Sequence, residues 1–323
     1  MEVSMKYYLA PMEGLTTYHF RRVYHKYYGG VEKYFTPFLA ARNLSARERA
    51  DILPEHNEGM KVVPQILANR AEVFLSIAGE AAAYGYSSVN LNLGCPSGTV
   101  TARGRGAGFL KFPEQLERFL DEIFDKCPLN ISVKTRIGVD NVEEWERLLE
   151  LFGRYPMDEL IVHARLLKEG YGGCVHLEAF EAALGQLKVP LCYNGDLISL
   201  NTVGSDNKDT GYGTLGWLTS CLPAVDTVMV GRGILRRPGL LTGDFSLVTL
   251  RVFHDELLEG YIRIMSSDTN VLFKMKELWT FMGAGFEHAE KHLKKIKKAK
   301  SLSEYRMAVD AAFREQDSVA FLA

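Results

Sequence analysis

The stretch Val89–Gly108, VNLNLGCPSGTVTARGRGAG, ends an apolar run in a cysteine followed at once by proline, then opens into a loop rich in glycine and arginine. A packing cysteine belongs inside a strand. One at the tip, before a segment so poor in side chains, faces something outside the core. An unperturbed cysteine has a pKa of about 8.5, so about 97% of it is thiol at neutral pH. Cys95 is therefore suited to deliver a proton, whereas a nucleophile calls for a depressed pKa.

Other apolar runs end in the same way. Pro11, Met12 and Glu13 close the first, and Gln65 sits in the third. Asn90 and Asn92 precede Cys95, and Lys134 and Arg136 end the fifth run. His163 and Arg165 end the sixth, Asn194, Gly195 and Asp196 the seventh, and Gly231 and Arg232 the last. One such residue means little, because a lone buried histidine is usually a satisfied core residue. A series of them marks a ring of polar groups that need partners. The glycines and charges after the last two runs suit a phosphate, held by backbone N–H groups and a nearby cation. Lys134, Gln65 and His163 suit a large polar heterocycle. Flavin mononucleotide meets both demands, with one phosphate and a ring that gains negative charge on reduction. His163, Cys174 and His176 match no metal-ligand spacing, so no metal site is expected.

Eight short runs rich in β-branched and aromatic residues position these groups. They are Tyr7–Met12, Lys33–Leu39, Lys61–Leu67, Ser88–Gly94, Asn130–Gly138, Glu159–Arg165, Val189–Asp196 and Asp226–Gly233. Most intervals carry a helical pattern. In Pro113–Cys127 the proline suits the first turn, and Leu116, Phe119, Leu120, Ile123 and Phe124 share one face. Alternation of this kind predicts an α/β fold, a (β/α)8 TIM barrel. A doubly wound sheet would need a phosphate-binding glycine turn after its first strand, and APMEG is not one.

After Gly243 the strand pattern stops, and helical stretches follow at Leu247–Met265, Val271–Phe286, Ala289–Ala299 and Leu302–Phe313. The expected organisation is a barrel over residues 1–243 and a small all-helical domain over 244–323. The third helix carries EKHLKKIKKAK (Glu290–Lys300), a solvated face or a contact for phosphates. The polar loop Thr202–Thr214 reads as a surface excursion.

The chain has 323 residues, 47% of them hydrophobic, and a net charge of −2, so any nucleic acid must bind on a local patch. Five cysteines without a CxxC pair argue against a disulfide framework and a zinc ribbon. No signal peptide and no apolar run long enough to span a membrane is evident, so a reducing, cytoplasmic location is expected.

In order along the chain, APMEGLTTYHFR (Ala10–Arg21), VPQI (Val63–Ile66), NLNLGCPSGTVTARGRGAGFL (Asn90–Leu110), SVKTRIG (Ser132–Gly138), IVHAR (Ile161–Arg165), YNGD (Tyr193–Asp196) and VMVGRG (Val228–Gly233) form a connected set. With this set the chain resembles the tRNA-dihydrouridine synthases, flavoenzymes that reduce particular uridines in transfer RNA. The resemblance runs from about Leu9 to Pro238, and the C-terminal helices match in kind. It implies that Cys95 is the general acid, and that Pro11, Met12, Glu13, Gln65, Lys134, His163, Asn194, Gly195, Asp196, Gly231 and Arg232 form the FMN shell. It implies further that Asn92 and Arg136 lie near the uracil, with Arg103 and Arg105 meeting RNA phosphates. NADPH is the reductant it implies and tRNA the partner. A monomer that needs no protein partner is the simplest expectation.

The family often carries basic residues shortly after GCP, where this chain has Gly98 and Thr99, and its usual HGRT appears here as HARL. These departures fall on substrate contacts, so the resemblance does not fix which uridine is modified. The alternative is an FMN-dependent barrel reductase acting on a free pyrimidine or other small substrate. The helical tail and the arginine-rich loop argue against it, since a small substrate needs neither. A tRNA-binding barrel without catalysis is a third reading, and the complete flavin set argues against it.

Overall fold

The computed structural model describes residues 5–173, 175–198, 213–286 and 289–316. Cys174 and residues 202–212 of the polar loop lie outside the described residues. Nine parallel segments form one sheet: β1 (Lys6–Leu9), β2 (Lys33–Phe35), β3 (Val62–Val63), β4 (Gln65–Ile66), β5 (Ser88–Leu93), β6 (Asn130–Arg136), β7 (Leu160–His163), β8 (Leu191–Asn194) and β9 (Thr227–Val230). Their order is β3-β2-β1-β9-β8-β7-β6-β5-β4.

The two ends of that order belong to one run of chain. Pro64 has no N–H to give to a ladder, so it splits the expected strand Lys61–Leu67. Val62 and Val63 pair with β2, while Gln65 and Ile66 pair with β5. The ring thus closes as an eight-stranded barrel, and each expected run supplies one strand. The strands are shorter than the apolar runs because each run turns out of the sheet at its C-terminal end. At β1, Met12 N donates to Thr16 Oγ1 at 2.8 Å, which starts a turn where the run suggested strand.

The pleat sends alternate side chains inward. Tyr8, Phe35, Val63, Ile161, Cys192 and Met229 form an apolar cluster separate from the main core. The main core lies between the strands and the helices and includes Leu9, Leu91, Val133, Leu160, Val162 and Val228. The helix Pro113–Lys126 buries Leu116, Phe119, Leu120 and Ile123 as its spacing predicts. Phe124 is only half-buried and stacks on Tyr155 at 5.0 Å.

Four helices follow the barrel: Leu247–Ile264, Asp268–Met282, Ala289–Lys298 and Leu302–Arg314. The first docks on helix Tyr18–Tyr27, with Phe253 edge-on to Phe20 and Tyr28 at 5.9 and 5.3 Å. Gly260 faces His19 there, and a Cβ at that position would run into the imidazole. The helices share a core in which Trp279 Nε1 donates to Tyr305 Oη at 2.8 Å and Tyr305 Oη meets His254 Nε2 at 2.7 Å. Among the described residues, no helix is long and apolar enough to cross a membrane.

Candidate active site at the C-terminal mouth of the barrel

The polar residues singled out in the sequence occupy the inward positions as the strands reach their C-terminal ends. Register sets them side by side: Gln65 with Asn90, Asn92 with Lys134, Arg136 with His163, and His163 with Asn194. Barrel enzymes build their sites at this end. A cavity of about 670 Å³ opens at the opposite end, lined in part by Lys33, Glu159 and Asp226. Glu159 there is already bound, to Tyr8 Oη at 2.7 Å and Lys33 Nζ at 3.3 Å, which fits a structural role for that face.

Cys95 is half-buried at the tip of β5. Asn92 Oδ1 accepts from Gly94 N at 3.0 Å and from Cys95 N at 2.9 Å, and Arg136 Nε donates to Gly94 O at 3.0 Å. Two neighbouring strands therefore grip the turn that presents the thiol. Burial pushes the Cys95 thiol above its ordinary pKa, against the pull of the Ser97 backbone N–H, Lys134 and Arg136. It remains a thiol at neutral pH.

The loop after Cys95 is folded against it. Helix Gly98–Thr101 and a 3₁₀ turn over Gly106–Lys111 bring Ala107 N to Cys95 O at 3.1 Å. Gly106 has φ +55°, and a Cβ there would lie 2.8 Å from Cys95 O. A Cβ on Gly108 would lie 2.7 Å from Thr101 O. These two glycines serve close packing under the cysteine. Arg103 is exposed and Arg105 half-buried, and Asn69 Nδ2 holds the carbonyls of Arg103 and Gly104 at 3.0 and 3.2 Å.

Four cationic side chains, Lys134, Arg136, Arg165 and Arg232, share the mouth with the Asp196 carboxylate. Asp196 accepts from Arg165 Nη2 at 2.6 Å and from Arg232 Nη2 at 2.5 Å. Burial works to raise the Asp196 pKa, but the two guanidiniums hold it below the usual carboxylate range. Lys134 makes no ion pair with a carboxylate among the described residues, and burial together with Arg136 lowers its pKa to about 8. His163 is pushed well below its ordinary value by burial and then by Lys134, Arg136, Arg165 and Arg232, so its ring is neutral at pH 7. Arg136 also donates through Nη1 to Leu166 O at 2.8 Å, while its buried Nη2 has no partner among the described residues.

The first strand contributes Met12, whose Sδ lies 3.5 Å from where a Cβ on Gly231 would sit. Pro11 beside it is half-buried. Glu13 points elsewhere: it is exposed and pairs with Arg47 Nη2 at 3.0 Å. Asn194 Nδ2 donates to Met229 O at 2.8 Å and ties β8 to β9. Gly195 leaves room for the Tyr193 ring, which a Cβ there would strike.

The sequence placed Arg165 in the polar ring without a role of its own and did not single out Tyr171. Arg165 is wholly buried and, besides Asp196, donates to Gly172 O at 3.0 Å and Gly173 O at 2.6 Å. Its place two positions after His163, at the end of the same apolar run, was the available signal. Tyr171 had none. It stands in the loop that Arg165 holds, 56% exposed, with Arg232 4.8 Å and Arg136 5.5 Å from its ring centre. Away from the mouth, Lys291, Lys294, Lys295, Lys297 and Lys298 are exposed on helix Ala289–Lys298, which buries His292 and Ile296.

Fold and site together define a (β/α)8-barrel enzyme with a thiol and a cation-rich ring at its mouth. The family model described as dihydrouridine synthase matches residues 8–323, and the chain belongs to that family, a family of oxidoreductases. It is 30% identical over 242 residues to the tRNA-dihydrouridine(16) synthase of Pseudomonas putida, spanning 72% of this chain and 71% of that protein. It is 28% identical over 237 residues to a probable tRNA-dihydrouridine synthase of Staphylococcus epidermidis, spanning 71% and 69%. Among solved structures, a putative dihydrodipicolinate synthase family protein from Coccidioides immitis aligns with a TM-score of 0.50 at 10% identity, covering 98% of this chain and 96% of that one. That likeness is one of fold alone.

Proposed function

We propose that this protein reduces uridines in tRNA to 5,6-dihydrouridine, with Cys95 as proton donor and FMN bound across the barrel mouth. The observation that carries the reading is a thiol kept protonated by burial, at the rim of a ring in which four cations gather around the Asp196 carboxylate. An excess of buried positive charge is costly unless an anionic or electron-rich ligand answers it. The unpartnered Nη2 of Arg136 makes the same demand.

The residues fit FMN. Arg232, with Gly231 and the Asn194-Gly195-Asp196 turn, would hold the phosphate. Gln65, Lys134 and His163 would take the ring, with Pro11 and Met12 completing the shell. The chemistry that FMN supplies when bound is the hydride for one carbon of the uracil C5–C6 double bond, with NADPH as the reductant that restores it. The Lys134 ammonium would supply positive charge to a bound ring that gains negative charge on reduction. Cys95 gives its proton to the other carbon, and its position on a gripped turn fixes the face from which that proton arrives. Arg136 and Asn92 border the uracil, which must be turned out of its stack to reach them. Arg103, Arg105 and the exposed lysines of helix Ala289–Lys298 would meet RNA phosphates, so binding should weaken steeply with salt. On this reading residues 1–243 form the catalytic barrel and 244–323 a tRNA-binding domain. The protein works as a cytoplasmic monomer.

The test is to map dihydrouridine in tRNA from cells lacking this protein and again after return of wild-type or Cys95→Ala protein. Loss of specific dihydrouridines, recovery with wild type and little recovery with Cys95→Ala are expected. Normal modification by the alanine form overturns the acid role. Equal turnover of free uridine and tRNA overturns the substrate.

A further inference from the structure

TIM barrels fill their interior with layers of branched apolar side chains. This one does so on only part of its circumference. Tyr8, Phe35, Ile161, Cys192 and Met229 make the inner lining on β1, β2, β7, β8 and β9. On β4, β5 and β6 the inward positions hold Gln65, Asn90, Asn92 and Ser132, all buried. Buried amides cost free energy unless each finds partners, so their presence needs a reason.

Their hydrogen bonds form a single file. Cys95 N donates to Asn92 Oδ1 at 2.9 Å, and Asn92 Nδ2 donates to Gln65 Oε1 at 2.7 Å. Gln65 Nε2 donates to Asn90 Oδ1 at 2.8 Å, and Asn90 Nδ2 donates to Ser132 Oγ at 2.9 Å. Ser132 Oγ–H completes the file on the carbonyl of Val89 at 3.2 Å. Both ends are backbone groups whose roles cannot change, an N–H at the thiol and a C=O in β5. The direction of every amide between them is thereby forced. Asn92 must turn its oxygen to the two N–H groups of the turn, so its nitrogen needs an acceptor. Gln65 supplies that acceptor only because its own nitrogen is taken by Asn90, and Asn90 is held in turn by Ser132. Bonds aligned in one direction polarise and strengthen one another.

We propose that Asn90 and Ser132 are positioning residues for the Cys95 turn, acting through Gln65 and Asn92. Neither touches the mouth; they set which way the Asn92 carboxamide faces. Their importance for turnover rests on the proton-donor role of Cys95 given above.

The test compares Asn90→Leu, Ser132→Ala and Ser132→Thr with wild type. Two measurements are made on protein that retains its circular dichroism spectrum. The first is the pH profile of Cys95 alkylation by iodoacetamide in FMN-free protein, followed by peptide mass spectrometry. The second is kcat and KM on tRNA with FMN and NADPH. Asn90→Leu and Ser132→Ala loosen the turn, so Cys95 alkylation at pH 8 rises at least three-fold, because the thiol reaches water. Dihydrouridine formation slows at least ten-fold while KM for tRNA stays within two-fold. Ser132→Thr, which keeps the oxygen, restores both. Asn90→Leu combined with Asn92→Ala is no slower than Asn92→Ala alone, since both act along one file. Wild-type alkylation profiles in Asn90→Leu and Ser132→Ala overturn the proposal, whatever their melting temperatures. Additive losses in the double variant do the same. If Cys95→Ala proves fully active, the proton-donor reading falls, and the alkylation profile still decides whether the file holds the turn.

Discussion

Arg165 Nη2 lies 2.6 Å from Oδ2 of Asp196, and the arginine side chain is wholly buried. The second oxygen of Asp196 is taken by Arg232 at 2.5 Å, so one carboxylate holds two strand ends together. Removing one partner of a buried pair leaves the other charge less compensated. Asp196→Asn should therefore cost on the order of 2 kcal/mol of stability at neutral pH, allowing for the partial exposure of the carboxylate. The folded-state pKa of Asp196 lies below its ordinary 3.8. Its contribution is thus full above that value and is lost as pH falls through the depressed one. Chemical denaturation of both proteins at several pH values should show the gap closing as pH drops below the ordinary carboxylate value. A gap that widens in acid would contradict the pairing.

Lys134 presents the opposite sign. Its folded-state pKa is lowered from 10.5 to about 8, so between those values the unfolded chain holds a proton that the folded chain does not. Stability from this group rises with pH across that window and is reduced below it. Lys134→Met should raise the melting temperature of FMN-free protein at pH 7, and the advantage should shrink by pH 10. The same variant should lose most of its activity. A methionine form that melts lower at pH 7 would mean that the lysine has a stabilising partner.

Gly106 has φ +55°, and a Cβ there would lie 2.8 Å from Cys95 O and 3.0 Å from Cys95 Cβ. Gly106→Ala should cost about 1–3 kcal/mol from left-handed strain and overpacking. Its larger effect should be on turnover, because what must move is the turn that carries the thiol. Activity per folded molecule, measured beside an unfolding curve, separates the two. Unchanged turnover in the alanine form would show that the packing under Cys95 is slack.

The ring of Tyr171 lies over two guanidiniums while remaining largely open to solvent. Exposed cation–π contacts are worth about 0.5–1 kcal/mol each, so Tyr171→Ala should alter stability only slightly. Turnover on tRNA should fall at least five-fold, since the ring borders both the Arg136 and the Arg232 sides of the mouth. Wild-type steady-state kinetics would reduce the ring to a passive cover.

The sequence was legible where a local pattern carries its own meaning. Eight apolar runs gave eight strands, and four amphipathic stretches after Gly243 gave four helices within a few residues of their expected limits. Polar residues closing those runs marked the mouth, because an inward position at a strand end is visible as a break in an apolar run. Pro64 was visible too, but its effect required knowing that two different neighbours flank one strand. Tyr171 was illegible, because a loop has no period from which to read where a side chain will fall.

Residue type and order alone determined the strand count, the helical tail, the thiol at a tip and the ring of polar strand ends. Those follow from hydrophobic periodicity and backbone chemistry, which act over a few residues. Tertiary structure decided the rest: that Glu13 turns outward to Arg47, that Asp196 joins Arg165 to Arg232, and that Gln65, Asn90 and Ser132 line up behind Cys95. Such pairings depend on the register between strands far apart in the chain, and register is set only when the barrel closes and every buried polar group must find its partner.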